Sequence, residues 1–105
     1  MSFQNVGQEE FRVGMEREGA VVLDVRTPGE WHEGVIPGAE LINVMDPTFA
    51  DRIDALDRTK PYYVYCRSGN RSGMVSSFMM QRGFTEVFNL SDGLISWDGA
   101  LVQYV

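Results

Sequence analysis

The chain has one cysteine, one histidine and one lysine, and no apolar run near the roughly 20 residues that a membrane-spanning helix requires. Each shortage excludes something. One thiol closes no internal disulfide, and Cys66 with His32 falls short of the three or four protein ligands of a typical zinc site, so neither a metal nor another cofactor is expected. With Lys60 the only lysine and a formal net charge of -6 at pH 7, the surface as a whole is a poor match for nucleic acid, whose phosphates demand clustered cations. The start Met1-Ser2-Phe3-Gln4-Asn5 carries neither a basic segment nor an apolar one. The reading is a cytoplasmic protein with no membrane contact. The Gly-x-Ser-x-Gly elbow and the Gly-x-x-x-x-Gly-Lys phosphate loop are also missing, which argues against serine hydrolase and nucleotide hydrolase chemistry.

What is present reads as one domain over residues 1–105, expected to be a monomer. Its composition is 44% hydrophobic and 23% charged, an ordinary globular balance. Asn5 with Gln8 fits a capping box, Phe11 and Met15 share a helical face, and Gly19 stands where that helix would stop. Ala20 to Val25 is a short apolar run with β-branched residues, the pattern of a strand covered on both faces. A second strand is expected over Ala39–Val44 and a helix over 47–58, where Phe49, Ile53 and Leu56 make a stripe. Tyr62-Tyr63-Val64-Tyr65 reads as a central strand. A helix from about Arg71 to Arg82 follows, with Val75, Phe78 and Met79 inward, and then a strand over Glu86–Leu90. Strands alternating with helices imply an α/β fold with a mainly parallel sheet covered on both faces.

Between the central strand and its helix lies Cys66-Arg67-Ser68-Gly69-Asn70-Arg71-Ser72, outside the carboxyl end of the sheet, where open α/β folds bind ligands. Backbone N–H groups of such a loop converge as an anion nest, and the helix starting near Arg71 adds about half a positive charge at its N-terminus. Gly69 and Asn70 tolerate the positive φ of a tight turn. A cation about 4 Å from a thiolate, at an effective dielectric of about 20, contributes at most about 4 kcal/mol, or roughly three pKa units. Half of that brings a thiol near 7. Arg67, Arg71 and the helix start are therefore expected to make Cys66 a nucleophilic thiolate, where a lone cysteine is more commonly a small buried apolar group.

Two separated motifs carry a resemblance to the rhodanese family over nearly the whole chain. Asp24-Val25-Arg26 with Glu30-Trp31, followed by Gly34-Val35-Ile36-Pro37-Gly38-Ala39 and Asn43, resembles the first signature; Cys66–Ser72 resembles the active-site loop; and Asp92-Gly93 with Trp97 weakly resembles a third. The family often has His at the position of Val35 and a Gly-Gly pair at Asp92-Gly93. The resemblance implies a five-stranded, mainly parallel sheet flanked by helices. It also implies a sulfurtransferase that carries a sulfane sulfur as a persulfide on Cys66. Arg67, Ser68, Gly69, Asn70, Arg71 and Ser72 would hold the anionic donor, thiosulfate or a similar species. Cyanide or a thiol would accept the sulfur, and a protein could be donor or acceptor. The alternative is a rhodanese-fold binding or sulfur-relay module without activity on free thiosulfate. Related phosphatase and arsenate-reductase loops resemble Cys, five residues and Arg, whereas four residues separate Cys66 from Arg71, which disfavours phosphatase chemistry.

Other residues are read structurally. Arg26 and Glu30, four apart, are expected to form an ion pair. Trp31 and Trp97 are assigned to packing, as are Met74, Met79 and Met80. His32 is expected to be a solvent-exposed bystander. Ser72 is left between two roles, a helix cap and a hydroxyl donor to the sulfur.

Overall fold

The computed structural model describes residues 2–104. In chain order the elements are β1 (Gln4–Val6), α1 (Gln8–Gly14), β2 (Val21–Asp24), α2 (Pro28–Trp31), β3 (Glu40–Leu41), α3 (Phe49–Asp54), β4 (Pro61–Tyr65), α4 (Asn70–Gln81) and β5 (Glu86–Leu90), followed by a 3-10 turn at Gly93–Ser96. The strands form one five-stranded sheet in the order β1-β5-β4-β2-β3, and every pairing within it is parallel. This is the α/β architecture expected from the alternation of strands and helices.

The apolar residues of β4 and the cysteine that follows it divide by the two-residue period of a strand. Tyr62, Val64 and Cys66 face one core with Leu23, Val25, Ile53, Val75 and Met79, while Tyr63 and Tyr65 face another with Phe11, Val22, Ile36 and Leu90. All five residues of β4 are buried, as a central strand covered on both faces must be. Each fully buried side chain of this size contributes about 1.5–3 kcal/mol relative to exposure.

Topology then locates the site. From β2 the chain moves to β3 on one side of the sheet, and from β4 it moves to β5 on the other, so the carboxyl ends of β2 and β4 flank the point where the winding reverses. A crevice opens at such a point. Cys66 follows β4 directly, and Asp24 ends β2.

Several boundaries differ from the sequence reading. Asn5 and Gln8 form no capping box. Asn5 lies in β1, a strand the pattern did not reveal, and accepts from Asn89 Nδ2 at 2.9 Å, while Gln8 Oε1 accepts the Asp98 N–H at 2.9 Å. Gly7 occupies the N-cap of α1 instead. β3 is two residues long and α3 six, each shorter than its apolar stretch suggested. Met79 is buried and Met80 packs partly against the core, but Met74 is 74% exposed, so it does not pack as expected. Asn70 has an ordinary helical backbone; among the described residues only glycines take positive φ, Gly69 at +95° included.

Candidate active site

The segment from Cys66 to Ser72 curls so that its donors point at the cysteine sulfur. Gly69 N–H donates to Cys66 Sγ at 3.2 Å, Ser72 N–H at 3.3 Å and Ser72 Oγ at 3.3 Å. Gly69 makes the curl possible as the left-handed N-cap of α4. A Cβ built there would stand 2.0 Å from the Ser91 carbonyl oxygen, so no other residue fits without moving backbone. Gly93 plays the same part from outside the loop. Its φ is +63°, and a Cβ there would lie 2.2 Å from the Arg67 carbonyl oxygen. The 3-10 turn that Gly93 opens is tied to the loop, with Leu94 N–H donating to Cys66 O and Ile95 N–H to Arg67 O, both at 3.1 Å.

Cys66 is fully buried. Burial pushes its thiol up, but the Ser72 hydroxyl and N–H together with the Gly69 and Ser68 N–H groups outweigh that and pull it below the ordinary thiol value. The direction is the one expected from the sequence, yet the leading cause is different. Hydrogen-bond donors aimed at the sulfur do most of the work that the arginine charges were expected to do. Ser72 correspondingly spends its hydroxyl on the sulfur, and no side-chain cap closes the start of α4.

The two arginines part company. Arg67 is exposed and takes part in no ion pair among the described residues. It borders a cavity of about 190 Å³ whose walls include Leu94, Ile95 and Leu101, and which Cys66 itself does not line. Arg71 instead reaches back to α2 and donates to both Glu30 oxygens, at 2.6 and 2.7 Å. This overturns the expected Arg26–Glu30 ion pair. Arg26 is drawn inward by Asp24, to which it donates through N, Nε and Nη2, and gives Glu30 only a bond to its backbone carbonyl at 3.3 Å. The Arg71 guanidinium, assisted by Thr27, holds the Glu30 carboxyl at about 2 against its partial burial. No sequence signal short of the fold joins positions 30 and 71.

Asp24 anchors a second polar cluster beneath this one. Besides Arg26 it accepts Tyr65 Oη at 2.6 Å and Trp31 Nε1 at 3.2 Å, and Arg26 Nη2 donates onward to Gly34 O at 2.7 Å. Burial and the adjacent carboxylate push the Tyr65 phenol far above its usual value, so it remains a donor. Val35 does not disturb the cluster; its N–H and carbonyl bridge to Val102. Trp97 packs on Phe11, and His32 is exposed, its ring edge against Tyr104.

Comparison with known proteins agrees with this geometry. The Rhodanese-like domain family matches residues 7–100. The chain is 33% identical over 96 residues to the thiosulfate sulfurtransferase GlpE of Pseudomonas aeruginosa, covering 91% of this chain and 84% of that protein. It is also 33% identical over 82 residues to a sulfurtransferase of Allochromatium vinosum, covering 78% and 75% of the two chains. The crystal structure of a rhodanese-like domain protein from Staphylococcus aureus superimposes with a TM-score of 0.84 at 27% identity, covering 98% of this chain and all of that one. No helix among the described residues is long and apolar enough to cross a membrane. A sheet whose winding reverses above a buried, donor-ringed cysteine, together with this likeness over nearly its full length, shows that the chain belongs to the rhodanese-like domain family.

Proposed function

We propose that the chain acts as one rhodanese-like domain and transfers sulfane sulfur through a persulfide on Cys66. The observation that carries the reading is the convergence of Gly69 N–H, Ser72 N–H and Ser72 Oγ on one sulfur atom. Donors fixed by the fold stabilise an anionic sulfur without reorganising when it forms. The Cys66 thiolate attacks the outer sulfur of thiosulfate, a bond forms between the two sulfurs, and the S–S bond of the donor breaks with its electron pair leaving on sulfite. Cyanide or a thiolate then attacks the outer persulfide sulfur, the Cys66 S–S bond breaks, and its pair returns to Cys66 as thiolate. This is double displacement by a covalent intermediate.

Within the loop the roles divide. The backbone from Arg67 to Ser72 cradles the sulfur, Gly69 shapes the turn, Asn70 opens α4, and exposed Arg67 meets the anionic donor. The cavity beside Arg67 gives room to whatever the donor or acceptor carries beyond its reacting atom. Cys66 is buried while its neighbours Arg67 and Ser68 are exposed, so the donor first meets the protein at that edge of the loop.

The test is thiocyanate formation from thiosulfate and cyanide, with mass spectrometry of the protein after thiosulfate alone. Wild type should form thiocyanate and gain one sulfur on Cys66. Cys66→Ser should lose both, with a rate at least about a thousandfold lower. A wild type that gains sulfur from a protein persulfide but never from thiosulfate would instead be a relay module.

A further inference from the structure

The second arginine of the loop is occupied before any ligand arrives. Arg71 meets Glu30 fork to fork, and Glu30 is itself anchored: its Oε1 accepts the Thr27 N–H at 3.2 Å and the Thr27 hydroxyl at 3.0 Å, and its carbonyl accepts Arg26 Nη1. A bidentate pair fixes a guanidinium in one orientation and compensates most of its charge. Arg67 has no such partner among the described residues.

We infer that Glu30 is a positioning residue that sets the charge of the loop: by neutralising Arg71 it matches the cradle to a single anionic sulfur and leaves Arg67 as the cation an incoming donor meets. The charged groups around Cys66 come from each neighbouring element. Arg71 stands on α4, Glu30 behind it on α2, Arg67 in the loop, the mutually paired Asp24 and Arg26 at the end of β2, exposed Asp92 at the start of the 3-10 turn, and Glu33 on the wall of the Arg67 cavity. Of these, only Arg71 has its charge masked by a partner at the loop that one substitution can remove without entering the buried Asp24 cluster.

The consequence has an unusual sign. Glu30→Gln unmasks a whole cation near the sulfur, so the thiol should ionise more easily. A merely structural Glu30 predicts the reverse, because its loss would loosen the loop and withdraw the N–H donors that favour the thiolate.

The experiment measures the rate of Cys66 alkylation by iodoacetamide against pH for the whole chain as wild type, Glu30→Gln and Glu30→Gln/Arg71→Gln. In Glu30→Gln the inflection should fall by roughly half a unit or more, a fraction of the full charge effect because the site is partly solvated. Sulfate, a divalent probe, should protect Cys66 from alkylation at several-fold lower concentration than in wild type. An unchanged or raised inflection in Glu30→Gln overturns the inference. Should Glu30→Gln fail to fold by circular dichroism, the double variant decides, since it removes the two charges together. An inflection within roughly half a unit of wild type supports a compensated Arg71, and a larger rise shows that Arg71 was already serving the thiolate unmasked and overturns it. The inference rests on Cys66 as the sulfur carrier, but alkylation needs no sulfur donor. A wild type that alkylates as described yet takes sulfur neither from thiosulfate nor from a protein persulfide would sink the sulfurtransferase reading and leave the charge assignment standing.

Discussion

The carboxyl ends of β2 and β4 lie side by side, and each carries an arginine paired with a carboxylate, yet the two pairs do opposite things. Asp24 and Arg26 are 0% and 3% exposed, and their polar atoms are used up among themselves, Tyr65, Trp31, Gly34 and Glu30. Glu30 and Arg71 are 23% and 34% exposed, and they brace a loop whose remaining donors point at one sulfur. Burial separates scaffold from site. A fully buried, saturated pair is costly to break, whereas a half-buried pair beside donors aimed at one sulfur can tune charge at modest cost.

The largest expected effect comes from breaking the scaffold pair. Asp24→Asn keeps the shape but strands the Arg26 charge in the interior, so unfolding in urea should show a loss of about 3–5 kcal/mol. In the fraction that remains folded, the unmasked Arg26 should lower the Cys66 inflection less than the unmasked Arg71 of Glu30→Gln does, because Arg71 and not Arg26 is coupled to the Cys66 charge. A variant that kept its stability but moved the thiol inflection as far as Glu30→Gln does would erase the distinction between the two regions.

How far the sequence revealed this contrast depends on the range of the contacts involved. The loop was legible because it is contiguous: a strand, seven residues and a helix whose inward positions Val75 and Met79 repeat every four. Met74 sits one position before Val75, about 100° around the helix, and is therefore turned to solvent. β1 was hidden because Gln4-Asn5-Val6 shows no alternation and becomes a strand only through pairing with Phe88, Asn89 and Leu90 at the far end of the chain. The ion pairs were misread for a related reason. The four-residue rule joined Arg26 to Glu30 because it describes a regular helix surface, but α2 is a single turn and Arg26 lies before it, within reach of the buried Asp24. Glu30 then found Arg71, a partner 41 positions away that only the crossover between strands brings near.

A smaller effect sharpens the site half of the comparison. Ser72→Ala removes the hydroxyl donor and leaves the Ser72 N–H in place, so the Cys66 inflection should rise by about one unit and alkylation at pH 7 should slow by up to about tenfold, with little change in stability at neutral pH. The sign also has a stability counterpart. A folded thiol that ionises below the unfolded value of about 8.5 makes the fold gain stability as pH rises from the folded inflection to that value, and lose it as pH falls back through the folded inflection. In Ser72→Ala this gain should shrink in urea titrations across that window.

The smallest effect concerns Arg67, and it tests what ionises the thiol. An exposed cation acts through screened solvent and contributes at most about 1 kcal/mol, so Arg67→Gln should weaken thiosulfate binding by roughly three- to fivefold at low salt, a difference that closes as salt is raised. The Cys66 inflection should shift far less than in Ser72→Ala, because the donors within hydrogen-bonding distance of the sulfur are Gly69 and Ser72 and not the arginine. Thiosulfate protection of Cys66 against alkylation, measured at two salt concentrations for both variants, separates the two contributions. If Arg67→Gln moved the inflection as far as Ser72→Ala does, cationic charge rather than directed hydrogen bonds would be stabilising the thiolate, and the division between a charge-matched loop and its exposed recruiting arginine would have to be abandoned.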